Sequence, residues 1–384
     1  MKILLASDCY IYQTNGVANV VMHLARELRK LGHEVRVLAP SKDRHDCKEQ
    51  QDYFLGSVPA WYYPDSRVCY ARHHAFIEEL VAWKPDVIHL HTEGSIARRS
   101  FAIAARTGAP LIMTTHTDYA QFIFGRFRNT LPIRLLMHAY GKHIYRYAAK
   151  VIAPSEKARG FVMVQAARDR TVVVPNGIPL ERYQKKVEPE EKKALLARYG
   201  LLDNGCILVM VTRVSHEKNI IEILQYFPEL RRVLPQAQLL IVGDGPERQR
   251  LETYCVDHDL SAYVRFIGRI DPDEVYRYYA LGDVFVSAST FEVHSMTYLE
   301  AMACGLPLVC REDACLKDVL VNGENGFMYD TQTAFMEAVQ RILRNTEVRK
   351  DMHQKALHRA EEFSVQRFVE RTMDVYNQVV SQRS

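Results

Sequence analysis

Strand-like and helix-like segments alternate along all 384 residues, which predicts an α/β protein built on parallel sheets. Three observations carry that expectation. The strand-like runs are continuously apolar and β-branched, as strands covered on both faces must be. They fall into two series separated by a charged stretch near 180–205. The chain is also long for one hydrophobic core. Two doubly wound domains follow, residues 1–180 and 206–350, with a helical tail over 351–384. In such folds ligands bind in the crevice at the carboxyl ends of the strands.

The first run, Met1-Lys2-Ile3-Leu4-Leu5-Ala6, is too short for the apolar core of a signal sequence and reads as a buried strand, Lys2–Ser7. Strands are then expected at Glu34–Ala39, Asp86–His91, Pro110–Thr115 and Lys150–Ala153, with helices such as Gly16–Leu31 and Gly94–Thr107 between them. Val172–Ile178 closes this half, and Lys185–Lys193 reads as a charged connector without regular structure. The second half restarts with Cys206–Thr212, Gln238–Val242, Val264–Ile267, Asp283–Ser287 and Pro307–Cys310, and the tail from Asp351 to Ser384 has a helical pattern.

No run approaches the roughly 18 apolar residues of a membrane span. The eight cysteines show neither CxxC nor zinc spacing, which suits reduced thiols in the cytoplasm. Net charge is +4, unevenly spread: residues 1–180 hold 24 Lys/Arg against 15 Asp/Glu, and residues 181–384 hold 26 against 31. That asymmetry points the first half towards an anionic partner. No nucleic-acid-binding motif is present, so an anionic membrane surface is favoured over nucleic acid. Arg134, His138, Lys142, Arg146 and Lys150 recur every four residues beside Leu135, Leu136, Tyr140, Ile144 and Tyr147, the pattern of a basic amphipathic helix lying on a membrane. The same pattern also describes a solvated face over a core stripe, but seven basic residues against one acid over 101–150 weigh against it.

The richest segment is Ser-Ala-Ser-Thr-Phe-Glu-Val-His-Ser-Met-Thr-Tyr-Leu-Glu-Ala-Met-Ala-Cys-Gly-Leu-Pro, 287–307. It follows a strand and ends in the helix stop Gly305 and Pro307, so Glu292 falls in a strand-to-helix turn and Glu300 in the helix. The unpaired N–H groups at that helix start suit a diphosphate, and the carboxylates suit sugar and ribose hydroxyls. Two surface glutamates on an ordinary helix fit the same letters. Arg213 and Lys218 follow a strand end and offer two cations, either to a phosphate or to solvent. Asn15-Gly16 opens a helix after the first strand without the GxGxxG of dinucleotide binding. His116 ends a strand beside Thr115, Thr117, Asp118 and Tyr119, either reaching a ligand or capping structure. His89 and His91 end the strand before it. Asp271-Pro-Asp-Glu274 has a metal-site spacing but reads better as a helix-capping box, with Asp271 as N-cap, so no metal is expected.

In order along the chain, these motifs resemble the signature of retaining nucleotide-sugar glycosyltransferases of the GT-B fold, family four, and within it the branch that glycosylates diacylglycerol in bacterial membranes. The resemblance implies two Rossmann-like domains facing across a cleft, with a final helix crossing back to the first. It implies that Glu292 holds the donor sugar and Glu300 its ribose. Arg213 and Lys218 would meet the β-phosphate, together with the helix start at His294, Ser295, Met296 and Thr297. Gly16 would face the donor, the backbone at Ile267 would pair with the base edge, and His116 would orient the sugar. The residues themselves, apart from the resemblance, put His91 and Tyr119 on the acceptor side and Arg134, Lys142, Arg146 and Lys150 on the membrane. The family usually carries glycines where this chain has Val293 and Ser295, a departure that bears on sugar preference.

The reading is a metal-independent, cofactor-free hexosyltransferase. It takes a nucleotide sugar, UDP-glucose, and a lipid acceptor, diacylglycerol, at the inner face of the cell membrane. A soluble acceptor (a sugar phosphate, inositol phosphate or polysaccharide), a nucleotide-sugar epimerase and a non-catalytic membrane-associated protein are the alternatives.

Overall fold

The computed structural model describes residues 1–13, 15–60, 67–70, 75–116, 139–162, 165–202 and 206–382. It divides into two units, Met1–Ile178 with Val365–Ser384, and Pro179–Ser364.

In the first unit the strands are β1 (Lys2–Ala6), β2 (Glu34–Pro40), β3 (Cys47–Glu49), β4 (Asp52–Leu55), β5 (Ser57–Pro59), β6 (Arg67–Cys69), β7 (Val87–Leu90), β8 (Leu111–Thr114), β9 (Ala148–Ala153) and β10 (Thr171–Val173). Eight of them form one sheet in the order β10-β9-β8-β7-β1-β2-β4-β3, and β5 and β6 pair separately. Only β3 runs antiparallel within the large sheet. The order reverses direction between β1 and β7. That switch point is where a doubly wound sheet opens a crevice at its carboxyl edge. The loop to Gly16 leaves β1 there, and His91 follows β7 directly.

The second unit is one parallel sheet, β13-β12-β11-β14-β15-β16, of β11 (Cys206–Val211), β12 (Ala237–Val242), β13 (Val264–Gly268), β14 (Val284–Ser287), β15 (Leu308–Arg311) and β16 (Gly326–Tyr329). Every residue of β11, β12 and β14 is buried, which is why those runs are apolar throughout. The switch point here lies between β11 and β14, the strands preceding Arg213 and Glu292.

Several expectations need correction. Lys185–Lys193 is not structureless: a helix spans Pro189–Arg198, with Pro189 at its first position, and a short one spans Leu180–Tyr183. Both belong to the second unit, as do residues 351–364. Helix Val365–Ser381 belongs to the first unit, burying Phe368, Val369, Val375 and Tyr376 and packing on helix Gly16–Lys30. Asp271 does not cap a helix at Pro272. Its carboxylate accepts from the Asp273 N–H at 2.9 Å in a turn, and the helix begins at Val275. Asp273 pairs instead with Arg182 at 2.9 Å.

Two local arrangements hold the loops at the strand ends. In the first unit, buried Asp8 after β1 accepts from Thr92 Oγ1 and Ser95 Oγ, both at 2.6 Å, and from the Ile96 N–H at 3.0 Å. It thereby caps helix Ser95–Thr107, whose own N-cap, Gly94, has no side chain to do so. In the second unit the turn Gly243-Asp-Gly-Pro246 lies under the loop that carries Arg213. Val214 N–H donates to Asp244 O at 3.0 Å, and Glu247 N–H to Val214 O at 3.1 Å. Gly243 has φ of 135°, and a Cβ there would stand 1.8 Å from Thr212 O. Gly243→Ala is therefore expected to lower stability by about 1–3 kcal/mol, read as a reduced urea midpoint. A midpoint within error of wild type would refute the constraint.

Candidate active site

In the second unit, the loops after β11 and β14 bring Lys218 and Glu292 together. After β11 the chain passes Arg213 into a short 3₁₀ turn, His216–Lys218. Asn219 ends that turn in the left-handed region at φ 48°, and its amide donates to Glu222 Oε2 at 2.8 Å. After β14 the chain runs through Glu292 to helix Met296–Ala303. Lys218 Nζ meets Glu292 Oε1 at 2.5 Å, with side-chain exposures of 20% and 12%. Burial works against the ionised form of Glu292, but the Lys218 charge and hydrogen bond outweigh it and hold its carboxyl below the usual range. Glu292 is thus an ionised acceptor at neutral pH. Arg213 sits half-buried beyond β11, and its guanidinium makes no ion pair among the described residues.

Helix Met296–Ala303 starts without a side-chain cap: the Ser295 hydroxyl bonds the Thr297 hydroxyl at 3.1 Å rather than a helix N–H. Its first N–H groups keep the positive end of the dipole. Ser295 has φ of −73°, and Val293 is not among the residues with positive φ. Side chains therefore stand at both positions without backbone strain.

Glu300 lies buried one turn deeper. Tyr183 Oη donates to its Oε1 and Tyr279 Oη to its Oε2, both at 2.9 Å. Burial raises its pKa, and the two hydroxyls only partly offset this. Each carboxylate oxygen keeps a second lone pair for another donor. Sequence reasoning missed both tyrosines. Tyr183 is 117 positions away, and no spacing signal links the two.

His294 is buried, with both ring nitrogens lacking partners among the described residues, and it packs on the Phe363 ring at 5.8 Å between centroids. Ile267 is half-buried in β13, and Met296 and Thr297 are the first two residues of the helix.

In the first unit, Gly16 begins the helix capped by Asn15, whose Oδ1 accepts from the Ala18 N–H at 2.9 Å. His91 and His116 follow β7 and β8, and His91 Nδ1 and His116 Nε2 lie 3.2 Å apart. His89, inside β7, bonds Tyr376 Oη and Thr114 Oγ1, each at 2.7 Å. Tyr119 and Arg134 fall outside the described residues.

The basic stripe does not run along one helix. The described helical residues end at 145, leaving Lys142 exposed on the helix, Arg146 exposed in the following turn and Lys150 half-buried within β9. Arg146 lies over the Tyr147 ring, which stacks on Phe101 at 4.4 Å. A four-residue spacing cannot register that the helix gives way to a strand. Among the described residues, no cluster of three His, Cys, Asp or Glu could hold a metal, and no helix is long and apolar enough to cross a membrane.

Burial lowers the His294 imidazole from 6.5 to about 4. Between those values the unfolded chain takes up a proton that the folded one does not. Stability is therefore lost as pH falls from 6.5, by up to about 3 kcal/mol once pH is below 4. His294→Phe should flatten the decline of the urea midpoint across that window, and an undiminished slope would count against the buried neutral ring.

The arrangement agrees with comparison to known proteins. Residues 14–182 match the family described as Glycosyltransferase Family 4, and residues 191–359 match Glycosyl transferases group 1. The chain is 30% identical to the alpha-monoglucosyldiacylglycerol synthase of Streptococcus pneumoniae, over 98% of this chain and 85% of the relative. It is 28% identical to the enzyme of that name from Acholeplasma laidlawii, over 91% and 89%. The fold matches the crystal structure of Anabaena HepE in complex with UDP, with a TM-score of 0.77 at 17% identity over 98% and 100% of the two chains. The chain has the GT-B fold and belongs to glycosyltransferase family 4.

Proposed function

We propose that this glycosyltransferase moves glucose from UDP-glucose to the free hydroxyl of diacylglycerol, retaining the anomeric configuration, at the cytoplasmic face of the membrane. The observation that carries the reading is the 28–30% identity with two alpha-monoglucosyldiacylglycerol synthases along nearly the whole chain. The Lys218–Glu292 pair at the β11/β14 switch point supports it.

In this reading Glu292, kept ionised by Lys218, accepts from sugar hydroxyls, and Glu300 accepts from the ribose diol on its remaining lone pairs. Arg213, Lys218 and the uncapped helix start at Ser295–Thr297 meet the β-phosphate, and the backbone at Ile267 meets the base. The bond from the anomeric carbon to the β-phosphate oxygen breaks while the acceptor oxygen bonds on the same face. The acceptor proton passes to the leaving phosphate. The cations and helix dipole stabilise charge that grows only as the bond breaks, so they act on turnover more than on binding. With that charge met by the protein, no divalent metal is required. His116 orients the sugar. Lys142 and Arg146 attract anionic lipid. The break in the stripe at Arg146 and Lys150 favours a second reading, a transferase with a soluble acceptor.

Incubation with a panel of labelled nucleotide sugars, with and without anionic vesicles carrying diacylglycerol, tests the assignment. The expected result is EDTA-resistant transfer from UDP-glucose that depends on diacylglycerol. Transfer to a soluble sugar alone would select the second reading, and loss to EDTA with rescue by Mn²⁺ would contradict the metal-free account.

Glu300→Ala should weaken UDP binding by about 1.5–3 kcal/mol, the worth of a charge-assisted hydrogen bond, measured by calorimetry. Unchanged affinity would remove the ribose role.

A further inference from the structure

Three histidine rings lie in series at the carboxyl edge of the first sheet. His89 and His91 pack with centroids 4.0 Å apart, and His91 stacks on His116 at 5.5 Å with an interplanar angle of 17°. The outer ring of the series, His89, has both nitrogens engaged, by Tyr376 and Thr114. The middle ring does not. His91 Nδ1 faces His116 Nε2 at 3.2 Å, whereas His91 Nε2 is buried and has no partner among the described residues.

A bond between two imidazole nitrogens contains one proton, and its side must be chosen. If His116 Nε2 donated, the proton of a neutral His91 would sit on Nε2 as a buried N–H without an acceptor, an arrangement rare in folded proteins. If His91 Nδ1 donates, the partnerless Nε2 carries only a lone pair. His116 Nε2 is then the acceptor, and the proton of a neutral His116 is on Nδ1. Burial, with smaller contributions from His89 and His116, keeps His91 far below its ordinary pKa, so His91 itself remains a neutral ring with a single N–H.

We infer that His91 is a positioning residue that fixes His116 in the Nδ1–H tautomer, as a hydrogen-bond donor through Nδ1 rather than a base through Nε2. The catalytic consequence rests on the proposed reading that His116 contacts the transferred sugar. It leaves His116 able to donate to a sugar oxygen and unable to take the acceptor proton at Nε2, in keeping with that proton going to the leaving phosphate.

The test is nitrogen NMR of the full chain labelled in histidine, with the His116 signals assigned by their loss in His116→Gln. In wild type, His116 should show a protonated Nδ1 and a lone-pair Nε2. In His91→Leu the two tautomers should mix. In His91→Asn, whose amide can donate from near the Nδ1 position, the wild-type pattern should persist. Turnover should fall roughly 10–100-fold in His91→Leu, with donor KM within about twofold of wild type, and recover largely in His91→Asn. A protonated Nε2 on wild-type His116, or an unchanged tautomer in His91→Leu, would overturn the inference. If His91→Leu does not fold, the wild-type spectrum alone decides. The spectrum needs no activity, so a wrong function would show instead as a correct tautomer in a protein that transfers no sugar.

Discussion

The Lys218–Glu292 ion pair is the contact on which the site of the second unit depends. It joins the loops after β11 and β14, two adjacent strands that lie more than 70 positions apart in sequence. Both groups are largely withdrawn from water, so separating them would leave a charge buried alone, costlier than losing the attraction itself. Each partner therefore fixes the other's backbone: Asn219 turns the chain sharply behind Lys218, and the uncapped helix begins just beyond Glu292. An anionic ligand at this point would meet a lysine already in place, an arginine without a protein partner among the described residues and a helix dipole, with little reorganisation required.

The parallel sheet brings these groups together. Apolar strands buried on both faces leave chemistry only to the loops at their ends, and the reversal of strand order separates two neighbouring loops enough to admit a ligand. The glycine turn at Gly243–Pro246 supports the Arg213 loop from below through backbone bonds alone. In the first unit Asp8 does the corresponding work, tying the loop after β1 to the helix that follows β7.

Much of this was legible in the residues. Buried strands such as Cys206–Val211 announce themselves because a two-sided apolar environment admits only apolar letters. The placement of Glu292 in a turn and Glu300 in a helix followed from the stop signal at Gly305 and Pro307. What stayed hidden depends on long-range packing or on weak local pattern. The Tyr183 and Tyr279 hydroxyls on Glu300 and the His89–Tyr376 bond link positions with no spacing relation. The edge strands Cys47–Glu49 and Gly326–Tyr329 are short, and the first is too polar to stand out. Helix Pro189–Arg198 was masked by its charges, although Glu, Lys, Ala and Leu are strong helix formers. The basic stripe failed for the opposite reason: a regular spacing ran across the boundary between a helix and β9.

In the proposed reaction, transfer takes place on one face of the sugar, with the leaving phosphate taking the acceptor proton. The most direct measurement is the anomeric configuration of the glycolipid formed from UDP-glucose and diacylglycerol, read from the proton coupling at the anomeric carbon by NMR. The donor is α-linked, so retention gives an α-linked product. A β-linked product would contradict it, because inversion requires a base on the opposite face and a different role for the groups around Glu292.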